Sequence, residues 1–180
     1  IHLRGTWTNT DHFEEQILYL QHKFKLVRLH DGLTRLADGS LDGACVALTF
    51  DDGDACLESV VVPLLSRHGC PATFLINSAY LNCRRLHWPY VYRYLANSPC
   101  ENERSLITDT IRENFDRLRH TEAPEVYNQV REPIEDLSEH IHDVDRLFVT
   151  EAFLRSLDPE LFSVGLHGHQ HQRFSMMSYE

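Results

Sequence analysis

Val46-Ala47-Leu48-Thr49-Phe50-Asp51-Asp52-Gly53 is the stretch on which the reading of this chain turns. Residues that favour an extended, buried strand run straight into two adjacent carboxylates and a glycine. The pattern predicts a strand over 45–50, stopped by an Asp-Asp-Gly turn. A strand end is rigid, and side chains held there can be aimed into a pocket. Two neighbouring carboxylates repel each other, so the pair calls for a compensating cation. A source of further ligands for that cation lies far downstream, in His167-Gly168-His169-Gln170-His171.

Working outward, Leu57, Val60, Val61, Leu64 and Leu65 recur at helical spacing, and Gly69-Cys70-Pro71 closes the helix. Ala72-Thr73-Phe74-Leu75-Ile76 then reads as a second buried strand, stopped by Asn77-Ser78. Strand, helix and strand in this order predict a βαβ unit with parallel strands. Upstream, Asp11-His12-Phe13-Glu14 has the form of a capping box, and Phe13, Ile17, Leu20 and Phe24 give an amphipathic helix over 11–24. Leu26 to Leu29 forms a short strand or enters a second helix near 32–36, before the turn signals Asp38-Gly39-Ser40 and Asp42-Gly43. From 84 to 158 charges are dense and helical periodicity dominates, which predicts a helical insertion within one domain spanning 1–180. Breaks fall near Asn97-Ser98-Pro99 and Ala123-Pro124, and Pro133 marks a kink or a helix start. Thr150 is placed to cap a short helix. Leu161 to Leu166 is a third strand that delivers His167 at its end.

Bulk composition narrows the partners. A chain of 180 residues with 42% hydrophobic and 24% charged content has the makings of one soluble core. Its net charge of −10 argues against binding a nucleic-acid backbone or an anionic membrane surface. No apolar run approaches the ~20 residues of a membrane span. Ile1-His2-Leu3-Arg4-Gly5 lacks the basic-then-apolar layout of a signal peptide. The first residue is not Met, which fits a processed form or an excised segment, from which an export signal could have been lost. Five cysteines (Cys45, Cys56, Cys70, Cys83 and Cys100) at irregular spacing read as buried free thiols rather than a disulfide framework, which favours a reducing, cytoplasmic setting.

The two polar clusters make chemical sense together. Parallel strands present their C-terminal ends on one face, where α/β folds bind substrates. One carboxylate and two imidazoles form a facial ligand set with positions left open for water and substrate. A metal so held acidifies water and polarises a carbonyl, and a carboxylate kept off the metal can accept the proton. These residue types fit metal-assisted hydrolysis of an acyl bond. With 12 histidines in the chain, about one His-x-x-x-His pair arises by chance, so the discriminating word is Thr-Phe-Asp-Asp-Gly at the end of an apolar strand.

At Thr49 to Gly53, and at Val164-Gly165-Leu166-His167-Gly168-His169-Gln170-His171, the chain resembles the polysaccharide deacetylases, the NodB-homology domain of carbohydrate esterase family 4. Val62 to Leu65 and Gly69 to Phe74 resemble the helix and second strand of that family, so the likeness covers about 11–83 and 150–178. The resemblance implies an α/β fold, a partial (β/α) barrel with a helical insertion, incomplete at its C-terminal side. It implies Asp51 as general base, and Asp52, His167 and His171 as ligands of a divalent ion, zinc first. The implied reaction removes acetyl groups from amino sugars of a glycan. The family's later motifs, an Arg that orients the base and a His that acts as general acid, have no counterpart before Glu180; neither Arg173 nor His140 is assigned to them. An incomplete barrel exposes strand edges, which invites oligomerisation.

Two other functions stay open at this point: a related amide hydrolase acting on a small molecule, and a non-catalytic glycan-binding relic. Several neighbouring residues have plainer readings than a role in the site. His169 is a non-ligand, Asp54 is a solvated turn residue, and Trp7, Trp88, Tyr90 and Tyr92 are packing residues rather than sugar-stacking walls.

Overall fold

The structure, a computed structural model, describes residues 10–83, 86–118, 124–137 and 147–171. Trp7, His140 and Arg173 lie outside these residues. Helix α1 (Thr10–Lys23) leads to β1 (Lys25–Leu26), α2 (Leu29–Ala37), β2 (Cys45–Val46) and β3 (Leu48–Asp52). A π-helical turn (Leu57–Val61) continues into α3 (Val62–Arg67), and β4 (Ala72–Ile76) follows. Helices α4 (Trp88–Ala96), α5 (Glu101–Ser105), α6 (Asp109–Leu118) and α7 (Pro124–Asp136) make a helical layer. The chain returns through α8 (Glu151–Ser156) to β5 (Phe162–Leu166).

The βαβ unit forms as the pattern predicts. Strand β4 lies between β3 and β5, and both pairings are parallel, with Phe50 opposite Phe74 and Phe74 opposite Val164. One face of this sheet is apolar. Phe13, Phe50, Phe74 and Phe162 touch in sequence across it, with centroids 6.1, 5.8 and 5.5 Å apart. Phe74 is fully buried, worth about 2–3 kcal/mol of transfer free energy. Phe13 and Ile17 of α1, Val61 of the π-helical turn, Leu64 and Leu65 of α3, and Phe153 of α8 cover this face. The helical layer packs around a second core that includes Trp88, Val91, Leu95, Val130 and Ile134.

The structure departs from the sequence pattern, or decides between its alternatives, in four places. The strand expected over 45–50 is two strands. Cys45 and Val46 pair with Lys25 and Leu26 in a separate parallel ladder, and β3 resumes at Leu48 and runs through both aspartates. Hydrogen bonding to β4 carries Asp51 and Asp52 into register with Leu75 and Ile76, overriding their low strand propensity. Asp11 lies in the first turn of α1, which already starts at Thr10, so it is not the N-cap. Pro133 sits inside α7 rather than at its start; buried Val130 and Ile134 on either side anchor the helix against the cost of the missing N–H. Of the free thiols, Cys56 and Cys70 are buried, but Cys45 is half-buried and Cys100 is exposed. No described helix is long and apolar enough to cross a membrane.

Candidate metal centre

The turn after β3 is built from unusual backbone. Asp52 and Gly53 are both left-handed, at φ 71° and 79°. The left-handed backbone favours glycine at 53, and a Cβ there would also fit tightly, 3.1 Å from Ile76 Cδ1. The turn is then tied to the chain that enters α8: Val149 N donates to Gly53 O at 2.9 Å, and Ala55 N to Leu147 O at 3.0 Å. Asp54 is not the solvated turn residue that its position suggested. It is 7% exposed, accepting from Cys56 N at 2.8 Å and from Tyr90 Oη at 2.9 Å. Helix α4 brings Tyr90 down onto the turn, and the Oη bond offsets the cost of burying a carboxylate.

The histidine segment is held with equal care. His167 N donates to Ile76 O at 2.9 Å, extending the ladder past β5. Asn77, almost fully buried, donates its amide to His167 O at 2.5 Å. Ala79 N donates to His169 O at 3.0 Å, and Tyr80 Oη to Gln170 O at 2.9 Å. Gly168 turns the chain at φ 82°, and His171 sits at φ 53°. Ser78 Oγ engages His169 Nδ1 at 2.8 Å, and His169 is not among the clustered donors.

These two segments bring Asp52, His167 and His171 together. One donor atom from each lies within 4.8 Å of the others. Asp52 Oδ1 is 3.1 Å from His171 Nε2 and 3.7 Å from His167 Nε2. Ligands held at ~2.0–2.2 Å from a tetrahedral ion are spaced on the order of 3.3 Å apart, so these separations suit one. Asp52 Oδ1 is also buried and, despite the close imidazole, has no aligned hydrogen-bond partner. An orphaned carboxylate oxygen between two imidazole nitrogens is the environment a divalent cation satisfies. Burial pushes the Asp52 carboxyl up, but the close His171 and the charges of His171, His87 and His167 together hold it below the ordinary carboxylate value. The Asp52 contact in turn raises His171, against its own burial.

Asp51 is exposed, one strand position before Asp52. Both carboxylates line a cavity of about 430 Å³ between α1 and β3, which neither histidine reaches. Trp88, Tyr90 and Tyr92 are engaged in packing: Trp88 edge-on to Tyr127, Tyr90 to Phe148, and Tyr92 stacked 3.9 Å from Phe115.

Sequence reasoning missed His87. It is 7% exposed, packs on Tyr80 with centroids 5.2 Å apart, and meets the His171 ring at 4.6 Å. Burial, helped by the neighbouring His171, pushes its pKa down to about 3, so it is neutral near pH 7. In sequence it reads only as the entry to a helix, and nothing in its spacing ties it to residues more than eighty positions away.

The scaffold and the cluster define an α/β protein of parallel strands with Asp, His and His gathered at the C-terminal end of β3 and just beyond that of β5. The chain belongs to the polysaccharide deacetylase family, whose model matches residues 38–180 and so takes in both polar segments. No curated protein sequence matches it. Among solved structures it is similar to IcaB from Ammonifex degensii, at 22% identity and TM-score 0.44, over 52% of this chain and 44% of that one. It is also similar to the deacetylase domain of BpsB from Bordetella bronchiseptica, at 27% identity and TM-score 0.34, over 44% of this chain and 30% of that one. The chain thus spans less than half the length of either structure.

Proposed function

We propose that this chain carries the metal-binding half of a hydrolase that removes acetyl groups from the amino sugars of a glycan. Membership of the polysaccharide deacetylase family supports the reaction class. The observation that carries the site is the buried Asp52 Oδ1, without an aligned hydrogen bond, facing the two imidazole Nε2 atoms. Asp52, His167 and His171 would hold a divalent ion, zinc before others, which when bound polarises an acetyl carbonyl and acidifies water. Asp51, exposed beside the cluster and outside it, takes the proton from the attacking water. Water adds to the amide carbon, the C–N bond breaks, and acetate and a free amine result. In this reading β3, β4 and β5 are neighbouring strands of a (β/α) barrel, and 84–158 is a helical insertion in it.

Zinc titration and acetate release together test the proposal. The 180-residue chain is expected to bind one equivalent of Zn²⁺. Asp52→Ala and His171→Ala should each weaken binding by at least roughly 100-fold, since each removes a ligand. Asp51→Asn should bind zinc normally, and in a longer chain that includes the rest of the family domain it should abolish acetate release from N-acetylated chito-oligosaccharides. Zinc affinity unchanged in either ligand variant removes the site. A longer chain that includes the rest of the family domain and binds zinc without releasing acetate favours the glycan-binding relic instead.

A further inference from the structure

The helical layer is joined to the histidine segment by a column of rings. Phe148 stacks on Tyr80 with centroids 5.3 Å apart, Tyr80 packs on His87 at 5.2 Å, and His87 on His171 at 4.6 Å. Each member is fixed from another direction. Phe148 and Tyr80 are buried in the second core. Tyr80 Oη holds Gln170 O. The His87 carbonyl accepts the first bonds of α4, from Tyr90 N at 2.8 Å and Val91 N at 3.3 Å. His171, by contrast, has a left-handed backbone that residues other than glycine adopt at a cost, so its surroundings must hold it there.

We propose that His87 is a positioning residue for His171. Its ring, presented by the helical layer, backs the His171 imidazole and keeps Nε2 facing Asp52 Oδ1. The inference rests on the metal-site reading above and adds to it a role for the insertion. The helical layer then serves as a support for one ligand, with no need for it to touch substrate. Among the described residues the donor cluster is Asp52, His167 and His171, without His87. What it supplies is a flat, buried surface, so a phenyl ring should serve in its place and a methyl group should not.

The test is calorimetric titration of the metal-free chain with Zn²⁺, with the visible spectrum of the Co²⁺ form as a report on ligand geometry. His87→Ala is expected to weaken Zn²⁺ binding about tenfold, the scale of lost support around a metal ligand, and to alter the Co²⁺ spectrum. His87→Phe should restore affinity to within roughly threefold of wild type. His87→Leu, which fills the space without a ring, replaces the alanine variant if that one fails to fold, and should bind as weakly. Wild-type affinity and an unchanged Co²⁺ spectrum in His87→Ala or His87→Leu overturn the inference while leaving the metal site standing. A phenylalanine variant as weak as the alanine variant also overturns it. A wild-type chain that takes up no Zn²⁺, or a His171→Ala variant that binds undiminished, removes the metal-site reading and this inference with it.

Discussion

Among the described residues, the non-glycine residues with left-handed backbone are Asp52, Asn82 and His171. Two of the three belong to the Asp/His/His cluster. Strained residues persist where their surroundings over-determine them, and at this site the surroundings are visible. Asp54 shows how. Its Oδ1 caps Cys56 N and its Oδ2 accepts from Tyr90, so the turn that carries Asp51 and Asp52 is pinned from beneath. Tyr90→Phe is expected to cost about 1–3 kcal/mol, because Asp54 Oδ2 loses that donor in a buried setting. Urea unfolding of the variant against wild type measures the cost, and a change below roughly 0.5 kcal/mol would show that the bond does not hold the turn. None of this was legible from the Asp-Asp-Gly-Asp word. Tyr90 is 36 positions from Asp54, and residue type alone favours a solvated aspartate in a turn.

Elements were more readable than contacts. The apolar stripe of α1 predicted its buried face, and Phe13 and Ile17 do enter the first core. How α1 docks depends on polar ties that periodicity does not reveal. Glu14 Oε1 meets His68 Nε2 at 2.6 Å and Arg67 at 3.4 Å, and Gln21 donates to His68 O at 2.8 Å. The His68 hydrogen bond, with the Arg67 and His68 charges, holds the Glu14 carboxyl below its ordinary value despite the opposing effect of burial. A carboxylate depressed in the folded state stabilises it above the unfolded pKa, near 4.3, and the benefit is lost as pH falls through the folded value. Glu14→Gln should therefore be less stable than wild type at pH ~7, and the two should converge as pH falls below the ordinary glutamate range. Thermal melts across that range decide it; a gap that persists in acid would assign the effect to packing rather than charge. Thr150 is a case where an element's end was read correctly, since its Oγ1 accepts from Phe153 N at 3.1 Å and caps α8. A capping residue acts within its own turn, so its neighbours in sequence suffice to reveal it.

For the whole molecule the open question is what lies beside the sheet. Among the described residues β3 and β5 are its edges, and on β5 the apolar Val164 and Leu166 are 48% and 77% exposed. Unpaired strand edges with apolar neighbours are templates for association. We propose that the isolated chain self-associates through them. Light scattering should give a mass that rises with concentration between about 10 and 200 µM and falls when Leu166→Lys places a charge at the β5 edge. A constant monomer mass across that range would refute the idea.

The amino-acid sequence alone determined the local structure: the βαβ unit, the helical stretch after it, the cap at Thr150, and two short polar words placed after strands. These follow from periodicity and turn chemistry, which act over a few neighbouring residues. Only the tertiary structure decided that Asp52 Oδ1 stands between His167 and His171, that Asp54 is buried under Tyr90, and that His87 backs the His171 ring. Those contacts join residues from 36 to 119 positions apart (90 − 54 and 171 − 52). Their geometry is set by how the sheet and the helical layer pack, which no local pattern encodes.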